Sequence, residues 1–245
     1  TSVPNAARIS AFRSQLAVLQ QFVDNVYIPD VEAVGNLYSD YKQVGVGSSN
    51  LIAYGVFDLN DAGTTKLLSR GTFTGGSVQT LNLNQITEHV AYSWYSGATA
   101  RPPATGVTTP VDPDTKTAAY SWLKAPRYNN APYEAGPLAR MKVSNKYTGG
   151  ISVMDRHLAR AYETKVVADA MAGWLTQLEQ NLSGAVYNTY ANPASGSGIG
   201  LTEAPRGALG HWVSIANGKV ANYQVITPTC WNASPKDSNE VRGPM

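Results

Sequence analysis

The residues best suited to chemistry lie in the run from Glu203 to Trp212, which reads Glu-Ala-Pro-Arg-Gly-Ala-Leu-Gly-His-Trp. Arg206 stands between a proline, whose ring fixes its own backbone angle, and a glycine, which lets the chain pass close to a neighbouring group. A guanidinium held in this way offers fixed hydrogen-bond donors to an anionic group. The run therefore predicts a rigid arginine that faces an anion.

The same Ala-Pro-Arg device occurs a second time, at residues 125–127, within the segment that runs from Tyr120 to Arg140. A simpler interpretation of both arginines is a buried ion pair, with Glu134 or Glu203 as the carboxylate partner. The sequence leaves both interpretations open.

Familiar catalytic arrangements have little support elsewhere in the sequence. His89, His157 and His211 lie far apart without metal-ligand spacing, which favours an ordinary structural role for each. Glycine-rich phosphate-binding motifs are absent. Cys230, the one cysteine, follows Pro228 closely and precedes a tryptophan. This context favours a buried, inert thiol, while a nucleophilic role with a histidine stays open.

Composition limits the classes of function. Charged residues make up 15% of the 245 residues, and the net charge is +2, whereas typical globular chains contain about 25% charged residues. The low charge predicts a large buried fraction or surfaces covered by partners, and the near-neutral balance argues against a nucleic-acid partner. No apolar run is long enough to predict a membrane span. Both ends are abrupt, so we expect the core fragment of a longer protein.

Apolar residues recur every three or four positions in four stretches, which predicts four helices. They are residues 6–29, where Pro29 ends the pattern, then 31–41, 84–96 and 152–182. The last is the longest, at about 45 Å. Its start is marked by Ser152 and Asp155, whose spacing is a variant of the capping box.

β-rich runs predict small antiparallel units. Leu51–Phe57 and Leu67–Phe73 flank a turn, and a C-terminal hairpin turns at Asn217-Gly218. Residues 97–115 are predicted to form a long loop that is functional or covered by a partner. The sequence thus predicts a mainly α fold of the α+β class, with a long-helix core and small antiparallel β-hairpin units, in a single domain over residues 1–245.

Three segments together resemble the large subunit of nickel–iron hydrogenases. They are residues 122–140, 203–212 and 222–232, which contain Trp-Leu-Lys-Ala-Pro-Arg-Tyr, Glu-Ala-Pro-Arg-Gly-Ala-Leu-Gly-His-Trp and Asn-Tyr-Gln-Val-Ile-Thr-Pro-Thr-Cys-Trp-Asn in the family's order. The first helix and residues 71–95 are also similar, so the resemblance covers nearly the whole chain. It implies the family's activity, which is the reversible oxidation of dihydrogen to protons and electrons.

The resemblance implies a nickel–iron centre with cyanide and carbon monoxide on the iron, held by four cysteines from two Cys-x-x-Cys pairs. This chain contains neither pair, so we expect none of the nickel–iron ligands here, no bound cofactor and no activity in the fragment alone.

The resemblance also assigns roles to residues of this chain. Arg206 would lie above the metals as the catalytic residue and donate to a cyanide. Thr229 would donate to the other cyanide, and Pro228 would line the same pocket. The main-chain carbonyl of Val225 would bind an additional metal, often magnesium. A turn cap at Thr229 and an ordinary strand position at Val225 are the simpler alternatives.

The same resemblance implies an iron–sulfur small subunit as partner and, through it, a membrane cytochrome. The chain is most similar to uptake hydrogenases of the periplasm, with the cytoplasm as the alternative location. Two other functions stay open: a non-catalytic hydrogenase-like scaffold or electron-transfer subunit, and an unrelated metal-independent enzyme that uses Cys230. Retention of Arg206 and Thr229 favours the hydrogenase.

Overall fold

The computed structural model describes residues 4–97, 99–185 and 187–245. Its α-helices, in chain order, are α1 (Ala6–Phe22), α2 (Ile28–Leu37), α3 (Pro137–Val143), α4 (Val153–Gln180) and α5 (Pro228–Asn232). Its strands are β1 (Leu51–Asp58), β2 (Lys66–Thr74), β3 (Ser77–Gln79), β4 (Ile86–His89), β5 (Ala125–Tyr128), β6 (Gly196–Ala204), β7 (Gly207–Ala216) and β8 (Lys219–Ile226). The mixture confirms the predicted α+β class with small antiparallel sheets. Among the described residues, no helix is both long and apolar enough to cross a bilayer.

Contacts divide the chain into two compact units. One comprises Thr1–Gly45 and Ser152–Ala191, and the other comprises Val46–Ile151 and Asn192–Met245. The first unit is helical and contains α1, α2 and α4, whereas the second contains the sheets together with α3 and α5. The expectation of a single domain over residues 1–245 stays a prediction.

The first predicted helix begins at Ala6 as expected, but the prediction that Pro29 ends it is wrong. The chain passes from α1 through a π-helical turn, Val23–Tyr27, directly into α2. Pro29 lies at the start of α2, directly after the π-helical turn, so the helical path continues past a proline that donates no N–H. The predicted second helix therefore starts earlier, and a short 3₁₀ helix, Ser39–Lys42, follows it.

The longest helix, α4, has the predicted start. The Ser152 hydroxyl accepts a hydrogen bond from the Asp155 backbone N–H, and the Asp155 carboxylate accepts one from the Ser152 backbone N–H. This reciprocal capping box satisfies two backbone donors that the first helical turn leaves free. Its 28 residues span about 42 Å. Leu175 of α4 packs in a small apolar cluster with Ile9 and Leu16 of α1.

The second unit begins with a three-stranded antiparallel sheet in the order β1-β2-β3, which confirms the predicted strand pair. The helix predicted over residues 84–96 is wrong. A short 3₁₀ helix, Leu83–Gln85, leads into strand β4, which pairs with β5. The spacing of Ile86 and Val90 suits a helix, but pairing with β5 extends the backbone and buries Glu88 and His89. The predicted loop over residues 97–115 contains one 3₁₀ turn, Pro113–Thr115, in its described part.

A third antiparallel sheet has the order β6-β7-β8. The predicted hairpin is confirmed, since Asn217 and Gly218 both adopt positive φ between β7 and β8. Strand β6 was not predicted, because its glycine-rich start resembles a loop. The core of this unit contains Tyr54 of β1, Trp212 of β7, Ile226 of β8 and Trp231 of α5. It packs beneath the segments that carry the candidate site.

Candidate functional site

Arg206 lies at the tip of the tight turn that joins β6 to β7. Ala204 pairs with Gly207, so Pro205 and Arg206 are the two loop residues. Gly207 has a φ of 135°, and a Cβ there would lie 2.7 Å from the Cβ of Ala135. Only glycine fits this position without displacing backbone atoms. The Arg206 side chain is exposed, and its guanidinium makes no hydrogen bond or ion pair with a described residue.

The backbone beneath Arg206 is held by Arg140 of α3. The buried Arg140 guanidinium donates to the carbonyls of Ala204, at 3.0 Å, and Pro205, at 3.1 Å. It also forms an ion pair with Glu203 at 2.9 Å. The other carboxylate oxygen of Glu203 accepts a hydrogen bond from the Tyr54 backbone N–H at 2.6 Å. Glu203 therefore pairs with Arg140, and the ion pair considered between Glu203 and Arg206 does not form.

Helix α5 lies beside the same turn and carries two of the predicted site residues. Pro228 is buried in its first turn, whereas Thr229 is exposed. The hydroxyl of Thr227, and not that of Thr229, caps the helix, so the turn-cap alternative for Thr229 is wrong. The Asn232 side chain donates to the Arg206 carbonyl at 3.3 Å and accepts from the Ala135 backbone N–H at 2.8 Å. One side chain thus joins α5 to the Arg206 turn.

Val225, the predicted main-chain ligand of an additional metal, lies in β8 opposite His211. Strand β8 is at an edge of its sheet and has β7 on one side. Alternate carbonyls of such an edge strand face away from the neighbouring strand. His211 itself bonds through Nδ1 to the Tyr223 hydroxyl at 2.6 Å.

Arg127, the arginine of the other Ala-Pro-Arg segment, is completely buried in β5. Its Nε donates to Asp237 at 2.6 Å. The remaining guanidinium nitrogens bond to the Ser234 hydroxyl and to the carbonyls of Pro126, Pro235 and Val241. The buried ion pair is therefore the correct interpretation for Arg127, but the predicted partner Glu134 is wrong. Burial favours a raised pKa for Asp237, yet the hydrogen bonds from Arg127 and from two backbone N–H groups lower that pKa overall.

A second buried ion pair joins Glu88 of β4 to Lys124, with 2.5 Å between the Lys124 Nζ and a carboxylate oxygen. Lys124 also donates to the Gln224 side chain at 2.9 Å. Burial raises the pKa of Glu88, and the ammonium of Lys124 opposes this rise. Glu88, Lys124 and Gln224 line a small cavity of about 20 Å³, which is room for about one water molecule.

The remaining titratable candidates form no catalytic constellation in the described part of the chain. His89 is buried and bonds to the Ser238 hydroxyl at 2.8 Å, and burial lowers the pKa of this histidine. Cys230 is buried, and the Thr227 hydroxyl donates to its sulfur at 3.3 Å. Within residues 4–97, 99–185 and 187–245, no group of three His, Cys, Asp or Glu side chains is arranged to hold a metal ion.

Arg140 and Asn232, which hold the backbone at Arg206, were not predicted as site residues. Both lie inside the segments that resemble the hydrogenase family, and this is the one sequence feature that could have identified them. Glu88 carried no signal, because the sequence placed it on a helix and not in a buried strand.

The complete chain, residues 1–245, matches the family of nickel-dependent hydrogenases. The chain belongs to this family. It is 35% identical over 271 residues to the periplasmic [NiFeSe] hydrogenase large subunit of Desulfomicrobium baculatum, covering 100% of this chain and 52% of that protein. It is 32% identical over 288 residues to the uptake hydrogenase large subunit of Rhizobium leguminosarum bv. viciae, covering 95% of this chain and 48% of that protein.

Solved structures give the same result. The H2-activated [NiFeSe] hydrogenase of Dm. baculatum matches with a TM-score of 0.91 at 35% identity, covering 100% of this chain and 54% of that one. The Ni-Fe-Se hydrogenase of D. vulgaris Hildenborough in its as-isolated oxidized state matches with a TM-score of 0.87 at 33% identity, covering 99% and 55%. The chain therefore has the fold of the corresponding part of these proteins, and it spans about half the length of the relatives it matches.

Proposed function

We propose that this chain is part of the catalytic large subunit of a nickel–iron hydrogenase, and that the complete protein reversibly oxidises dihydrogen to protons and electrons. One observation carries the proposal. In a chain that matches the family over its whole length, the exposed Arg206 guanidinium has no partner among the described residues, while the backbone beneath it is bonded at three successive carbonyls. Such an arrangement holds a positive charge ready for an external group.

The proposed cofactor is a nickel–iron centre with cyanide and carbon monoxide on the iron. This centre supplies the soft metal site at which dihydrogen is cleaved. The residues described here do not fit as its thiolate ligands, because the one thiol, Cys230, is buried and bonded by Thr227. They fit instead as hydrogen-bond donors beside it.

Within that site, Arg206 supplies charge and planar N–H donors to one cyanide, and Thr229 supplies a hydroxyl donor to the other. A buried anion requires such donors because an unpaired buried charge is costly. The exposure of both side chains on adjoining segments supports these roles. Pro228 lines the pocket from α5. The Val225 carbonyl serves an additional magnesium ion, which prefers oxygen ligands.

The proposed partners are an iron–sulfur small subunit, which carries electrons away, and a membrane cytochrome reached through that subunit. The similar proteins named above are large subunits, and one is periplasmic. This supports a periplasmic location, membrane-associated through partners, with the cytoplasm as the alternative.

The test is Arg206→Lys in the complete, assembled protein. Lysine keeps the charge but loses the planar fork, so we expect kcat for dihydrogen oxidation to fall at least tenfold, or about 1.4 kcal/mol of barrier. Arg13→Lys is the matched control. Arg13 is a half-exposed arginine whose side chain pairs with Glu179, and we expect the Arg13→Lys variant to be as active as the wild type.

Nickel and iron contents are measured in every variant. Wild-type turnover in Arg206→Lys with full metal content contradicts the role of Arg206. A wild-type protein that turns over no dihydrogen favours the non-catalytic scaffold instead.

A further inference from the structure

We infer that Arg140 and Asn232 are positioning residues for Arg206: together they fix the backbone of the β6–β7 turn so that its guanidinium projects in one direction. The catalytic part of this inference rests on the proposed function. The structural part does not, and it is tested separately below.

Arg140 acts on the turn through geometry that only a guanidinium provides. Its two terminal nitrogens reach the carbonyls of Ala204 and Pro205, and one of them also bonds to the Glu203 carboxylate. These three acceptors belong to consecutive residues, so a single planar group holds the chain up to the residue before Arg206. Glu203 is in turn bonded to the backbone of β1, which anchors this arrangement to the sheet.

Asn232 holds the next carbonyl of the turn, that of Arg206 itself. Its amide nitrogen donates to the carbonyl of Arg206, and its amide oxygen accepts from the N–H of Ala135. A Cβ on Gly136, the next residue, would lie 3.3 Å from the same Arg206 carbonyl. The carbonyls of residues 204, 205 and 206 are therefore all hydrogen-bonded, and the exposed side chain of Arg206 extends from a backbone that is held on both sides.

Arg140 is 4% exposed, and the contacts described above join its guanidinium to the β6–β7 turn and to the carboxylate just before it. Arg127 offers the contrast, because its equally buried guanidinium bonds to residues 126 and 234–241 and not to the turn. A lysine at either position removes the planar fork, but only at position 140 does this free the turn.

The structural test is amide hydrogen exchange on the complete native protein. In Arg140→Lys we expect the N–H groups of Ala204 and Gly207, which pair with each other across the turn, to exchange at least tenfold faster than in the wild type. The N–H group of Gly218, which bonds to the Ala194 carbonyl at the other turn of the sheet, should keep its rate. Arg127→Lys is the matched control and should lower Tm without a local change at residues 204 and 207. Unchanged exchange at these residues in Arg140→Lys overturns the inference.

A second variant keeps the test decisive if Arg140→Lys does not fold. Asn232→Asp retains the acceptor for the Ala135 N–H and removes the donor to the Arg206 carbonyl. We expect at least threefold faster exchange of the N–H groups of Ala204 and Gly207, because only one of the three hydrogen-bonded carbonyls is released. Wild-type exchange in this variant contradicts the role of Asn232.

The functional test is a double-mutant cycle on kcat for dihydrogen oxidation in the assembled protein. If Arg140 acts through Arg206, then Arg140→Lys with Arg206→Lys loses no more activity than Arg206→Lys alone. If the fold-losses in kcat of the two single variants multiply in the double variant, Arg140 acts independently of Arg206, and the positioning role is overturned. Absence of dihydrogen oxidation in the wild type refutes the proposed function, whereas the exchange result still decides whether the turn is held as inferred.

Discussion

The two Ala-Pro-Arg segments share a sequence but place their arginines in opposite environments. Arg127 is completely buried, and its guanidinium nitrogens bond to Asp237, to the Ser234 hydroxyl and to backbone carbonyls. Arg206 is exposed, and here it is the backbone, not the side chain, that is bonded. The tripeptide does not even fix the local backbone, which is a strand at residues 125–127 and a tight turn at residues 205–206. The difference teaches that distant residues decide whether the arginine is structural or available.

The largest expected effect is at the buried arginine. Arg127→Met leaves the carboxylate of Asp237 buried without its cation, so we expect the free energy of unfolding to fall by about 3–5 kcal/mol. Urea unfolding monitored by circular dichroism measures the change. A loss below about 1 kcal/mol would show that Asp237 finds water or another partner and would weaken the contrast between the two arginines.

The next effect tests the rigidity of the turn beneath Arg206. Gly207→Ala introduces a Cβ that would lie 2.7–2.8 Å from atoms of Ala135 and Gly136, at a φ of 135°. We expect a loss of about 3 kcal/mol from strain and overpacking. Gly200→Ala in β6 is the control, because no atom lies within 4 Å of its new Cβ, and it should change stability by about 0.5 kcal/mol or less. Equal losses in both variants would argue against a specifically crowded turn.

A smaller effect appears as a dependence of stability on pH. The folded-state pKa of Asp237 is lower than its ordinary value of 3.8. Its carboxylate therefore contributes stability above about pH 3.8, and this contribution is lost as the pH falls through the lower, folded-state pKa. We expect the difference in unfolding free energy between wild type and Asp237→Asn to shrink between pH 5 and pH 2. A constant difference over this range would contradict the lowered pKa.

The smallest effect on stability is expected at the exposed arginine. Arg206→Met removes no hydrogen bond or ion pair of the described fold, so the free energy of unfolding should change by about 0.5 kcal/mol or less. Comparison with Arg127→Met under the same urea conditions gives the contrast directly. A loss comparable to that of Arg127→Met would reveal a structural role for Arg206.

Local signals predicted those parts of the structure whose causes are local. The capping box at Ser152 and Asp155, and the hairpin at Asn217-Gly218, depend on residues a few positions apart and are confirmed. The prediction of a helix over residues 84–96 is wrong because β4 pairs with β5, a strand almost forty residues further along the chain. The π-helical turn Val23–Tyr27 is likewise invisible to a pattern that treats Pro29 as a stop signal.

In the candidate site, too, the sequence predicted the features with local causes and not those that depend on distant residues. The flanking proline and glycine pointed to Arg206 as a rigid arginine. The ion pairs did not follow from the sequence, because Arg127 and Asp237 are 110 positions apart and Arg140 and Glu203 are 63 positions apart. Only the folded chain shows that Glu203 forms its ion pair with Arg140, so that the Arg206 guanidinium can bind an external anion.

The pairing of Glu203 with Arg140 also shapes the electrostatic potential around the turn. Of the three arginines in these segments, Arg127 and Arg140 each have a carboxylate within 3 Å, so their fields largely cancel at a distance. The positive potential from this group of arginines then arises mainly from the tip of one side chain. Because an exposed charge is screened over about 10 Å at 0.1 M salt, this potential is short-ranged, and an anion senses Arg206 only when it is already close to the turn.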